Sequence, residues 1–103
     1  MHLEWSLFAI ADREAIFDYM EQDSQRAAVV VDDRIEQQVE ALEQFPEMGR
    51  QGRETGTREL VIQRTPYVAV YRIAGGKVRI LRILHGAQQW PEEMPDDNEA
   101  RDS

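Results

Sequence analysis

Residues 57–91 read TRELVIQRTPYVAVYRIAGGKVRILRILHGAQQWP, three short apolar runs laced with arginine and divided by Thr65-Pro66 and Gly75-Gly76. Runs of this length with alternating apolar positions, parted by turn residues, predict a three-stranded antiparallel meander with tight turns. Strands are expected over 57–64, 67–73 and 77–84. In the first, Arg58, Leu60, Ile62 and Arg64 share a side. In the second, Tyr67, Ala69, Tyr71 and Ile73 lie opposite Val68, Val70 and Arg72. In the third, Arg79, Leu81, Ile83 and His85 lie opposite Val78, Ile80, Arg82 and Leu84. Both faces of the later two strands are rich in apolar residues, as for strands covered on one side and partly on the other. Arg72 and Arg82 then have to reach water or find partners, because a lone buried guanidinium is costly. Glu59 is the single acid in these strands and offers a structural ion pair.

A meander of this kind needs something to lie on it, and the preceding residues supply helices. Leu3 and Trp5 alternate with His2 and Glu4, so residues 1–5 read as a short strand. Ser6 is an expected N-cap for a helix over 7–21, with Phe8, Ala11, Ala15, Ile16, Tyr19 and Met20 as its apolar stripe and Asp12, Arg13, Glu14 and Asp18 turned to water. Ser24 opens a second helix over 25–44, where Ala28, Val31, Ile35, Val39 and Leu42 recur at three- and four-residue steps and Phe45 closes the row. The short link makes the two helices an antiparallel hairpin. Pro46 stops the second helix. Residues 48–56, MGRQGRETG, form a polar loop with three glycines. Glycine lets backbone amides approach an anion, but the spacing is neither that of a P-loop nor of a dinucleotide fingerprint, and the stretch reads as a connection.

A chain of 103 residues with 42% hydrophobic composition buries one modest core. The expected organisation is a domain over 1–91 followed by an acidic tail, EEMPDDNEARDS, over 92–103 that is too poor in apolar residues to fold, with Trp90 packing back on the domain edge. No apolar run nears the ~20 residues of a membrane span. There is no cysteine and there are only two histidines, so no metal site or cofactor is expected, and a cytoplasmic location is compatible with the composition. The net charge of −8 is uneven. Residues 1–48 carry three arginines against twelve acids, whereas residues 49–91 carry eight basic residues against two acids. Two readings stand open: the basic sheet meets an acidic partner or nucleic acid, or sheet and helices neutralise each other.

Several pieces occur in a telling order: the short first strand; Asp12 ahead of Ile16 and Tyr19; Ala27-Ala28 opening the long helix; Leu42, Phe45-Pro46 and Gly49-Arg50; Gly56-Thr57-Arg58-Glu59-Leu60; Pro66-Tyr67; Val70-Tyr71-Arg72; and His85-Gly86. With them, the span 3–91 resembles the RelE/ParE superfamily of bacterial toxins from type II toxin–antitoxin modules. The resemblance implies an α+β fold, a two-helix antiparallel hairpin on a small twisted antiparallel sheet in the order β-α-α-β-β-β. It also implies a cognate antitoxin that wraps and neutralises the toxin. RelE-like members cleave mRNA in the ribosome, and ParE-like members poison DNA gyrase without a catalytic site of their own. RelE-like RNases place lysines on the second strand and an arginine at the start of the third. Aligned through Val70-Tyr71, those places hold Glu59, Val61 and Val68, which cannot stabilise a phosphorane. The remaining candidates for RNA cleavage are His85, Arg82 and Arg58. Phosphate contacts supply most of a nuclease's affinity, and an acidic chain is poorly suited to them. The expectation is therefore a ParE-like, non-enzymatic toxin with gyrase as target and no direct nucleic-acid binding, the alternative being a ribosome-dependent endoribonuclease. Arg58, Arg72, Arg79 and Arg82 are the expected contacts to an acidic antitoxin segment.

Overall fold

A computed structural model describes residues 1–92 and Met94. The elements are β1 (His2–Trp5), α1 (Leu7–Glu21), α2 (Gln25–Glu40) running into a 3-10 turn (Ala41–Glu43), β2 (Arg50–Gln51), β3 (Arg58–Val61), β4 (Tyr67–Ala74) and β5 (Lys77–His85). They form one five-stranded sheet in the order β1-β5-β4-β3-β2. The meander β3–β4–β5 is antiparallel as expected, and the α+β architecture with a helical hairpin is the one the sequence implies. Two details go beyond that expectation. β1 joins β5 in parallel, pairing Leu3 with Val78 and Trp5 with Ile80, which makes the sheet mixed. The polar loop contributes the two-residue β2 against Arg58 and Glu59.

The core lies between the sheet and the helices. Val31, Ile35, Val39 and Leu42 from the second helical run meet Leu60, Ile62, Tyr67, Ala69, Tyr71, Val78, Ile80 and Ile83. The stripe expected on α2 is thus the buried one, but the row ends at Leu42. Phe45 is 61% exposed, because the tighter 3-10 turn carries it past the core. On α1 the expected stripe is rotated. Ala9 is fully buried and Ile16 and Met20 pack against the core, whereas Phe8 and Tyr19 are exposed and Asp12 is turned inward. Apolar residues lie on several sides of α1, so their periodicity alone does not fix its inner face.

The largest departure from simple alternation is on β5. Tyr71 pairs with Ile80 but Val70 pairs with Arg82, so Leu81 is an extra, bulged residue. Past the bulge the alternation changes phase. Ile83 therefore joins Val78 and Ile80 on the core side, where strict alternation would have grouped it with Arg79 and Leu81. Ser6 is at the centre of this region and is completely buried. Its hydroxyl accepts from the Ala9 amide as the N-cap of α1 and donates to the Leu81 carbonyl at 2.8 Å, while its own amide bonds Ile80.

Two further side chains tie connections to the sheet. The fully buried Tyr71 hydroxyl donates to the Pro46 carbonyl at 2.7 Å and accepts from the Gly49 amide at 2.9 Å, clamping the turn after the helices. A side chain at Gly49 would strike that phenol at 2.6 Å, so the close approach requires glycine. From α2, the Gln38 amide group makes two bonds to the backbone of Gln63, accepting its N–H at 2.6 Å and donating to its carbonyl at 3.1 Å. Tyr71→Phe keeps the ring but strands a buried N–H and C=O. It is expected to destabilise the fold by about 2 kcal/mol, read as a lower urea midpoint with an unchanged slope.

Candidate functional site

A groove of about 550 Å³ opens where α1 passes the ends of β4 and β5, lined by Asp12, Ile16, Tyr19, Met20, Tyr67, Arg82, Leu84 and His85 among others. α1 presents Asp12, Ile16 and Met20 at four-residue spacing, which sets them in one row. The bulge brings Arg82 to the same place. Its guanidinium donates twice to the Asp12 carboxylate, at 2.7 and 2.9 Å, and Asp12 also accepts the Ile83 amide at 2.9 Å. This pair lies in the groove wall, with the Asp12 and Arg82 side chains only 16% and 24% exposed. Hydrogen bonding to Asp12 raises the Arg82 pKa further above its ordinary value despite burial. His85 sits edge-on to Tyr67, with ring centroids 5.6 Å apart, and its Nδ1 accepts the Ala87 amide. Burial raises the Tyr67 phenol above its usual pKa, keeping it neutral and a hydrogen-bond donor.

The other arginines singled out from sequence are dispersed. Arg58 donates to the backbone carbonyls of Glu47 and Gly49, at 3.3 and 2.8 Å. Arg79 lies 3.6 Å from Glu4 on β1, beside Lys77 at 3.0 Å from the same carboxylate. Arg72, toward the end of β4, is exposed. The structure therefore brings Arg82 and His85 into one groove, with Arg82 already paired, and leaves Arg58, Arg72 and Arg79 elsewhere. Among the described residues, acids from the first half of the chain pair with Lys77, Arg79 and Arg82, while Arg50 and Arg53 pair with Glu59 within the basic half.

The sheet face away from the core carries Glu59, Val61 and Val68, of which Glu59 and Val68 are buried and Val61 is 40% exposed. Glu59 is 3% exposed and accepts from Arg50 and from the Arg53 amide, so the glycine-containing loop does close on an anion, the chain's own carboxylate. Trp90 stacks on Arg53 with the guanidinium 3.6 Å from its ring centroid, and its Nε1–H donates to the His85 carbonyl. Trp90 and Met94 roof a small cavity of about 160 Å³ floored by Val70 and Glu59. The folding-back of Trp90 agrees with the sequence reading. The rest of the acidic tail, apart from Glu92 and Met94, lies outside the described residues. Asp12 is the site residue that the sequence reading turned to water. The signal was present, since Asp12 stands four residues from both Phe8 and Ile16 while arginines on the sheet await partners.

Residues 3–90 match the family model described as the ParE toxin of the type II toxin–antitoxin system parDE. The chain belongs to the ParE toxin family. Its relatives agree. It is 42% identical to the protein Y4kP of Sinorhizobium fredii over 92 residues, covering 89% of this chain and 95% of the relative. It is also 42% identical to Toxin RelE2 of Caulobacter vibrioides over 84 residues, covering 82% and 93% of the two chains. A solved chain from the chromosomal ParDE toxin–antitoxin system of P. aeruginosa superimposes with a TM-score of 0.74 at 35% identity, covering 81% of this chain and 92% of that one. For a ParE-family chain the Asp12–Arg82 pair is first a structural tie between α1 and the bulge of β5. Asp12→Ala and Arg82→Ala are each expected to destabilise the protein by about 2–3 kcal/mol. Asp12→Ala/Arg82→Ala together should lose clearly less than the sum of the two, in a double-mutant cycle followed by urea unfolding.

Proposed function

We propose that this ParE-family toxin arrests growth by protein contact with DNA gyrase and is neutralised by a cognate antitoxin, with no phosphodiester chemistry of its own. The observation that carries this reading is the commitment of its cations. RNA cleavage needs unpaired positive charge aimed at the scissile phosphate. Arg82 is held by Asp12, Arg58 by two carbonyls, and the positions that would carry further cations are Glu59, Val61 and Val68. Trp90 closes over the Glu59 end of that face, while Val61 is 40% exposed.

The groove beside the helical hairpin is the expected seat of the antitoxin's amphipathic segment. Ile16, Tyr19, Met20, Tyr67 and Leu84 offer it apolar contact. Of the four arginines expected to meet acidic residues of the antitoxin, Arg72 is the exposed one that, among the described residues, holds no hydrogen bond or ion pair within the chain. Arg72→Glu should weaken the toxin–antitoxin complex about tenfold in a titration while leaving the toxin's own unfolding midpoint in place. Arg82→Glu should lower the midpoint itself.

A ribosome-dependent RNase remains the second reading, favoured by the 42% identity to a relative named Toxin RelE2 and by His85 standing in the groove. Paired assays separate them. The gyrase reading expects loss of supercoiling with trapped DNA breaks and intact mRNA in a ribosome-programmed reaction. Supercoiling that persists at saturating toxin would remove it. mRNA cleavage abolished by His85→Ala in a protein that still folds would establish the alternative.

A further inference from the structure

We infer that the segment after β5, residues 86–92 with Met94, is a hinged strap, rooted at His85 and latched on Arg53, which opens from the sheet as a unit while the five strands stay paired. The inference rests on how the segment is held and is independent of the toxin's target. It makes no ladder with any strand. Its root is a single residue: His85 accepts the Ala87 amide at Nδ1 (3.1 Å), and its carbonyl accepts the Gln88 amide (3.2 Å) and the Trp90 Nε1–H (2.8 Å). One more bond ties Gly86 to the Pro66 carbonyl at 2.8 Å. The backbone bonds of Gly86, Ala87 and Gln88 lie at the base, where a hinge would be, whereas the Trp90 Nε1–H bond parts when the ring lifts.

The far end is held differently. The Trp90 ring rests on the Arg53 guanidinium, and the Met94 amide donates to the Glu54 carboxylate at 2.9 Å. Both partners belong to the loop between β2 and β3. That loop is itself fixed, because the buried Glu59 carboxylate accepts the Arg53 backbone amide at 2.8 Å. The latch residue is therefore positioned through its main chain, and its side chain, 58% exposed, lies over Trp90 with Nε 3.9 Å from the Glu59 carboxylate. Beneath the strap the packing is incomplete, with a cavity of about 160 Å³ between Trp90, Val70, Thr57 and Glu59. Lifting Trp90 forfeits fewer dispersion contacts than removing a core side chain would. A segment closed by one aromatic–cation contact and a few solvent-edge hydrogen bonds opens at much lower free energy than the sheet unfolds. Closed, it hides Val70, which is 1% exposed, and gives the outer sheet face a tryptophan roof. Open, it exposes Val70 to solvent.

The test uses the full chain carrying Trp5→Phe, so that Trp90 is the sole fluorescent tryptophan. Arg53→Ala keeps the backbone bond to Glu59 and removes the guanidinium from both Trp90 and the Glu59 carboxylate, the second loss being the one that Arg50→Ala reproduces. Expected are a roughly threefold or greater rise in acrylamide quenching of Trp90 and about tenfold faster amide exchange at Met94, whose bond to Glu54 opens with the strap, with β4 and β5 amides unchanged. Arg53→Lys should restore part of the shielding. Arg50→Ala, which touches Glu59 but not Trp90, should leave the strap closed. Unchanged quenching in Arg53→Ala, exchange that rises equally in β4 and β5, or release by Arg50→Ala as large as by Arg53→Ala would each overturn the inference.

Discussion

The fold depends on how α1 holds the bulge in β5. β1 stops at Trp5, so its parallel pairing ends at Ile80. Beyond that point the edge of β5 would face a helix, which has no free backbone groups to offer a strand. Side chains at the start of α1 fill the gap. The Ser6 hydroxyl takes the Leu81 carbonyl, and the Asp12 carboxylate takes the Ile83 amide together with the Arg82 guanidinium. A hydroxyl and a carboxylate two turns apart on a helix thus continue the hydrogen bonding that a strand began. The bulge they hold sends Ile83 into the core and turns His85 toward Tyr67. The walls of the groove are therefore a product of the same few bonds.

The same logic disposes of much of the chain's charge. The acidic first half and basic second half are not two separate surfaces. Glu4 serves Lys77 and Arg79, and Asp12 serves Arg82. Across the helical hairpin, Arg13 bridges Asp32 and Glu36 at 2.8 and 3.0 Å while lying over Trp5. Within the basic half, Glu59 gathers Arg50 and Arg53.

The meander, the helical hairpin, the N-caps Ser6 and Ser24 and the buried row of α2 were all legible in the sequence, because each is a local pattern with a local cause. What escaped was non-local. No feature of ILRILH announces that Leu81 is supernumerary; the bulge is fixed by Ser6 and Asp12, some seventy residues earlier. The inner face of α1 was misjudged for the same reason, since an aspartate with a strand as its partner looks solvent-facing when the helix is read alone. The family resemblance pointed to the arginines as a set, but the partners that Arg82, Arg58 and Arg79 hold within the chain are visible only in the structure.

Gln38 has a consequence for how this sheet meets other chains. β2 covers β3 only at Arg58 and Glu59, and the Gln38 amide occupies both backbone groups of Gln63. Because the backbone groups of alternate residues point outward, Val61 is the one position between them whose amide and carbonyl face the open edge. A foreign strand would find a single rung there, too little to nucleate a ladder unless it first displaced a glutamine. One side chain, borrowed from a helix, thus shortens the stretch of the β3 edge that is open to a foreign strand.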